Sequence, residues 1–518
     1  MGREWKFYGR GAELGLVLAS MRRNRWFFGA IRGRRRVGKT ALVRQALEIL
    51  KKDTQGPNQT ILVELPDSTP RDAASVFRRA VRQAGLEGHF KDLDQVTDLP
   101  AIALAIDVLC RKGVIVAIDE FQVCLRGPLR GFPSLLKERV DRLQDVEGGG
   151  LIVLGSVQAE MHALIHDRQA PLFGRETFSL NLGPWDIGTV LEVSAEHGAG
   201  DPHQCLTLWT LFGGVPKYWR LYAELEGLDS SLPWSDWAAE LCESLFMRPT
   251  APLFEEGDAL LGRELNRNYR TVLREIANHG PCTHAQLRTA LPDLKSFSPY
   301  LTSLVRELGL VERELPVFAK DNSRIARYSV ADQFLLAWLD AIGPARRYAR
   351  FATAREAEAA VLPRLRTLEG HAFERMVRQA TEEASRTGTG DFPLGGLVRG
   401  YWNRIGTRAE PIEIDLVAWS PTRRTIRFGS CKRNFAKHTP ASRRALHEHA
   451  KRFLATREGR EFKGWNHEYV LYSPRIPRTS RRELEGEGLS CIDLMDLREL
   501  LRDPRKGGKG EIEVSDRL

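Results

Sequence analysis

Apolar residues in this chain fall into short continuous runs and helical stripes. The stretch "WFFGAIRGRRRVGKTALVRQALEIL", from Trp26 to Leu50, is an apolar strand, a polar turn and an amphipathic helix. "GVIVAID" and "GGLIVLG" are again uninterrupted and end on polar residues, as parallel strands covered on both faces do. From Asn266 the pattern turns helical: Val272, Leu273 and Ile276 share one face, a short helix follows "GPCT", and a third runs from Pro299 to Leu308 before Gly309 stops it. Strand-like "GLVERELPV" and "ARYSVAD" come next. Further on, an amphipathic helix carrying Glu374 precedes strands over Ile412 to Trp419 and Thr425 to Lys432, joined by a turn at "SPTRR". A basic helix around Ser442 to Leu454 then leads to a strand from His467 to Ser473. The alternation predicts an α/β protein, and the breaks divide it at 1–185, 186–262, 263–342, 343–500 and a tail over 501–518 expected to be flexible.

Length and charge sharpen this picture. A chain of 518 residues is too long for one core, so several domains are required. No apolar run approaches the ~18 residues of a membrane span, and "MGREWKFYGR" lacks a signal peptide's apolar stretch, so the expectation is a cytoplasmic protein without membrane contact. The seven cysteines are scattered singly, without zinc-site spacing, and are expected to be reduced and mostly buried. The net charge of +10 is uneven: Gly343 to Arg452 holds 22 lysines and arginines against 11 acids. Such an excess suits a phosphate backbone, because neutralising phosphates releases counterions; an arginine-rich solvated face is the plainer alternative.

The turn after the first strand carries specific chemistry. "GRRRVGKT" matches G-x-x-x-x-G-K-[ST], with Gly33, Arg34, Arg35, Arg36, Val37, Gly38, Lys39, Thr40 and Ala41 forming a loop that opens a helix. Backbone N–H groups in such a loop point at phosphate and the helix adds its positive end. Lys39 would reach the terminal phosphates of ATP and Thr40 would hold Mg²⁺. The strand "GVIVAIDEFQ" delivers Asp119, a second candidate for Mg²⁺, and Glu120, a candidate catalytic base. Ser156, after the third strand, either senses the terminal phosphate or caps the next helix.

With these motifs in order, the chain resembles archaeal-type AAA+/STAND-like P-loop ATPases, often fused to a C-terminal PD-(D/E)XK nuclease-like domain. "FYGRGAEL" is similar to the family's opening segment near the adenine. "PLFGRE" resembles an element that would make Arg175 a catalytic arginine for the γ-phosphate or, in a homo-oligomer, for a neighbouring subunit. "FGGVPKYW" resembles the lid element in which Pro216 approaches the base. "RYSVADQFLLAWLDAI" resembles the family's junction. The resemblance implies a P-loop core, a helical lid, a winged helix-turn-helix and a PD-(D/E)XK-like α/β domain, in the order of the segments above. In the winged helix, Ser298, Tyr300, Ser303 and Arg306 would be exposed toward DNA, although in this family the element also serves to arrange domains.

In the C-terminal domain the resemblance places Asp415 as a metal-binding aspartate and Lys432 as the lysine of the (D/E)-x-K signature. The acid of that signature falls at residue 430, which is Ser430. Three readings follow. Glu413, two residues before Asp415 on the same strand, supplies the missing carboxylate beside Glu374, Asp415 and Lys432. The domain keeps its grip on DNA through Arg423, Arg424, Arg427, Arg433 and Lys437 while cutting is lost. Or Asp415 and Lys432 only pair across neighbouring strands. The activity expected is Mg²⁺-dependent ATP hydrolysis coupled to DNA engagement, the alternatives being an active ATP-dependent nuclease or a nucleotide-switched DNA-binding regulator.

Overall fold

The structure is a computed structural model that describes residues 4–502 apart from 24, 53–58, 157, 263–264, 266, 295, 349–353, 391 and 404–409. The expected tail therefore lies outside the described residues from 503 onward. By its own contacts the chain forms two compact units, one of residues 5–185 with 215–217, the other of the remainder.

The first unit is built on β1 (Phe27–Arg32), β2 (Thr60–Glu64), β3 (Ile115–Asp119), β4 (Gly150–Gly155) and β5 (Phe178–Asn181), in the order β2-β3-β4-β1-β5. Every pair is parallel. Successive residues of β1 enter different cores: Phe28 and Ala30 pack in one, Phe27 and Ile31 in the other. Burial on both faces is why these strands read as unbroken apolar runs. The strand order has a consequence for chemistry. β4 lies between β1 and β3, so its end at Gly155 comes out between the turn after Arg32 and the carboxylates after Ile118.

The second unit holds two sheets. The smaller is antiparallel, with β6 (Cys282–Thr283), β7 (Val311–Glu314) and β8 (Arg327–Val330) in the order β6-β8-β7, beside the helices Arg267–His279, His284–Ala290 and Ser298–Arg306. The larger runs β13-β12-β11-β10-β9, from β9 (Arg399–Trp402), β10 (Glu413–Ser420), β11 (Thr425–Cys431), β12 (Asn466–Tyr472) and β13 (Ser490–Ile492). β9, β10 and β11 are antiparallel neighbours, whereas β11, β12 and β13 run parallel. The helix Ala354–Thr387 packs on β10 and β11, and Pro440–Ala455 fills the crossover before β12. Ile414, Val417, Phe428, Phe453 and Leu471 form the core beneath this sheet. β9 and β13, four and three residues long, escape the sequence reading because so few residues show no alternation.

All seven cysteines are free and buried. Among the described residues no helix is long and apolar enough to cross a membrane.

Candidate functional site

The first constellation lies at the C-terminal ends of β1, β3 and β4. The loop between β1 and the helix Lys39–Lys52 turns through two left-handed residues, Arg36 at φ 68° and Gly38 at φ 97°. Such turns aim consecutive N–H groups into one concavity. Lys39 is buried, and its ammonium donates to the Gly33 and Arg34 carbonyls at 2.9 and 3.2 Å. Burial pushes its pKa down to about 8, against the pull of Asp119 and Glu120 and with Arg35 adding repulsion. An anion in the loop would offset that penalty. Pro216 lies against the loop, with its Cγ 3.8 Å from where a Cβ on Gly38 would stand. Arg10, of "FYGRGAEL", donates to the Gly183 carbonyl at 2.5 Å and the Val37 carbonyl at 3.3 Å, tying that segment to the loop.

The Thr40 hydroxyl donates to Asp119 Oδ2 at 2.5 Å, across 79 positions of sequence. The other oxygen, Oδ1, accepts the Glu120 N–H at 2.8 Å. A hydroxyl and a carboxylate oxygen at this separation are hard donors of the kind Mg²⁺ takes, so these residues fit the ion. Glu120 itself is left-handed, at φ 55°, and its carboxylate accepts from the Gln122 amide. Gln122 also donates to Ser156 Oγ at 3.2 Å and accepts the Ser156 N–H at 3.1 Å, while Ser156 Oγ lies 3.4 Å from Glu120. Thus the serine after β4 turns toward the acid after β3. Gln122 escaped the sequence reading because a glutamine in an apolar turn carries no signal of its own. Arg175 is placed differently from the loop residues: its guanidinium forks onto Asp141 at 2.6 and 3.1 Å and donates to the Phe173 carbonyl at 3.0 Å.

No family model matches the chain. An uncharacterized protein of Methanocaldococcus jannaschii is 25% identical over 356 residues, which are 65% of this chain and 69% of that protein. Among solved structures, the Walker-type ATPase of Pyrococcus abyssi is similar at 20% identity and a TM-score of 0.47, covering 64% of this chain and 96% of its own. The ORC2 protein of Aeropyrum pernix, in its ADPNP–ADP complexes, is similar at 17% identity and a TM-score of 0.44, covering 67% and 96%.

The second constellation lies on β10, β11 and the helix Ala354–Thr387. Asp415 Oδ2 accepts from Ser430 Oγ at 3.3 Å, the Cys431 N–H at 2.8 Å and Lys432 Nζ at 3.1 Å. Ser430 thus stands against Asp415 and donates a hydrogen bond where the signature would add a second carboxylate. Burial works against the Lys432 charge, but Asp415 and Glu374 outweigh it and hold its pKa up. Glu374 is pushed up to about 8 by burial and then by Asp415, with Arg378 and Lys432 opposing. Arg378 donates to the Asp415 carbonyl at 2.6 and 3.0 Å and to Glu314 at 2.6 Å. Glu314 and Arg378 were missed by the sequence reading, since nothing local ties β7 to β10.

Glu413 does not join this group. Its carboxylate is exposed and accepts from Arg327 at 3.0 Å. The pairing of β9 with β10 shifts register between Ile414 and Val417, and such an irregularity re-aims side chains that strict alternation would align. Among the described residues no group of three or more His, Cys, Asp and Glu side chains is arranged to hold a metal ion.

The helix Ser298–Arg306 corrects another expectation. Ser298 and Arg306 are exposed, but Ser303 is buried and its hydroxyl donates to Glu307 at 2.6 Å. Tyr300 is half-buried and its hydroxyl accepts from Asn268 at 2.8 Å. Two residues of the four remain on the open face.

Proposed function

We propose that this chain binds and hydrolyses ATP with Mg²⁺ as a P-loop ATPase of the AAA+/STAND-like class, and that its nucleotide state governs engagement of DNA. The observation that carries the reading is the bond from Thr40 to Asp119, which joins the phosphate-loop helix to the acidic strand beside a buried Lys39. In this reading the loop N–H groups and Lys39 bind the phosphates, and Thr40 and Asp119 hold Mg²⁺, which supplies positive charge to phosphate oxygens. Glu120, steadied by Gln122 and Ser156, orients the attacking water and takes its proton. Pro216 borders the nucleotide next to Gly38. Arg175, held by Asp141, would have to exchange that partner to serve a phosphate in its own subunit or a neighbour's.

DNA engagement is assigned to the three-helix and antiparallel-sheet segment, read as a winged helix, and to the sheet β13-β12-β11-β10-β9, read as a PD-(D/E)XK-like domain. The excess positive charge between Gly343 and Arg452 supports grip. With Ser430 in the acid's place and Glu413 turned to Arg327, grip without cutting is the reading we favour. An active nuclease remains the second reading, favoured by the Lys432 ammonium 3.1 Å from Asp415.

Steady-state ATPase assays test the first part. Lys39→Ala should abolish turnover and Glu120→Gln should lower kcat by about 100-fold or more; turnover unchanged in both would sink the proposal. A nicking assay with Mg²⁺ or Mn²⁺ tests the second. Cleavage that disappears in Asp415→Ala would make the domain a nuclease.

A further inference from the structure

Beside Lys432, within the second unit, lies a cleft of about 680 Å³ whose lining includes Trp234, Arg366, Lys432, Arg433, Asn434 and Lys437. Its lining comes from three places in the sequence. Arg366 is on the helix Ala354–Thr387, Arg433 and Lys437 follow β11, and Trp234 opens the helix Trp234–Cys242.

The cleft has a built floor. Glu369, 1% exposed, bonds the Arg433 guanidinium and accepts from the Thr207 hydroxyl at 2.5 Å, and Thr207 accepts from Trp234 Nε1 at 2.9 Å. This buried network fixes both Arg433 and the indole. The guanidiniums of Arg433 and Arg366 then lie 4.7 and 4.8 Å from the Trp234 ring centroid. A ring so placed holds the two guanidiniums near each other, Arg433 paired with Glu369 and Arg366 turned toward the cleft. Lys432, on the border, is shared with Asp415 at 3.1 Å. A cationic groove interleaved with an aromatic is the chemistry that tracks an unpaired, phosphate-bearing strand.

We propose that this cleft receives the phosphodiester backbone of a single-stranded DNA segment and leads it alongside Lys432 to Asp415. The inference rests on the DNA-engaging reading above and names its site. Arg366 and Lys437 are exposed and contact successive phosphates, while Arg433, ion-paired with Glu369, fixes the wall of the cleft beside Trp234.

The test is fluorescence anisotropy of the full chain with a labelled oligo-dT of about 20 nucleotides, from about 50 to about 200 mM salt. Doubly substituted Arg366→Ala/Lys437→Ala should bind about 10-fold more weakly at 100 mM salt. Its log–log salt slope should be shallower by about 1.4, since each phosphate on a single strand contributes about 0.7. Lys463→Ala, which removes an exposed charge of the same unit outside the cleft lining, should bind as the wild type does. Competition by inorganic phosphate should require millimolar concentrations, as expected for one phosphate against a strand. If the double variant binds as tightly as wild type, or no more weakly than Lys463→Ala, the cleft is overturned while DNA engagement stands. Wild type that binds a duplex of equal length but not the single strand also overturns it; binding to neither removes the DNA reading as well.

Discussion

Gln122 shows how a residue without a motif can set the behaviour of one that has it. Glu120 is placed by a left-handed backbone, and its carboxylate is held by an amide that simultaneously grips Ser156 from both sides. Gln122→Ala should therefore lower kcat for ATP by about 10-fold or more and leave KM within about two-fold, because the loop proposed to bind phosphate is untouched; steady-state kinetics separate the two. A fall confined to KM would mean that Gln122 serves binding. At this scale the strand–loop–helix around Gly33 to Thr40 and the acid pair after β3 were legible in the sequence, since each rests on fixed local spacing. The partners of Asp415 were half legible: Lys432 follows from the strand pattern, but Glu314 and Arg378 reach the site from distant elements. Glu413 shows the converse error, where alternation on one strand implied a shared crevice and Arg327 on another strand took the side chain away.

Elements here are joined by features that a sequence shows as ordinary residues. Gly149, at φ 70°, turns the chain into β4, and a Cβ there would fall on the Cys110 carbonyl. Gly149→Ala should cost about 2–4 kcal/mol, from the left-handed backbone and the clash together, read as a lower denaturant midpoint. At the start of the helix Ile187–Glu196, buried Glu383 accepts the Ile187 N–H at 2.8 Å and the Gly188 N–H at 3.1 Å. Burial, then Asp186, pushes its pKa up to about 7, with those two N–H donors opposing. The folded state therefore holds this proton more tightly than the unfolded chain. Its share of stability is fullest below about pH 4.5, the unfolded carboxyl's range, and falls as pH rises toward 7. Glu383→Gln should flatten that fall, gaining on wild type by on the order of 2 kcal/mol between pH 4.5 and 7.5, as denaturant melts across that range would show. Equal slopes for the two proteins would count against a proton held at Glu383.

For the whole molecule, two compact units with separate cores predict unfolding that is not two-state. Calorimetry should resolve two transitions, and ATP with Mg²⁺ should raise only the one belonging to residues 5–185 with 215–217. At about 100 times Kd the gain should be near 2.7 kcal/mol, and Lys39→Ala should erase it. A single transition that moves as one would contradict separate cooperative units. The sequence by itself determined the α/β character, the strand–loop–helix around Gly33 to Thr40, the acidic strand end, and the hairpin carrying Asp415 and Lys432. Each depends on residues within a few positions of one another, where periodicity and turn chemistry act directly. Only the tertiary structure decided that β4 separates β1 from β3 and brings Ser156 to Glu120, that Glu413 turns to Arg327, and that Ser303 is buried. It alone assembled the cleft around Trp234. Those outcomes depend on which strands pair and which buried charges find partners, and such long-range choices leave no periodic trace along the chain.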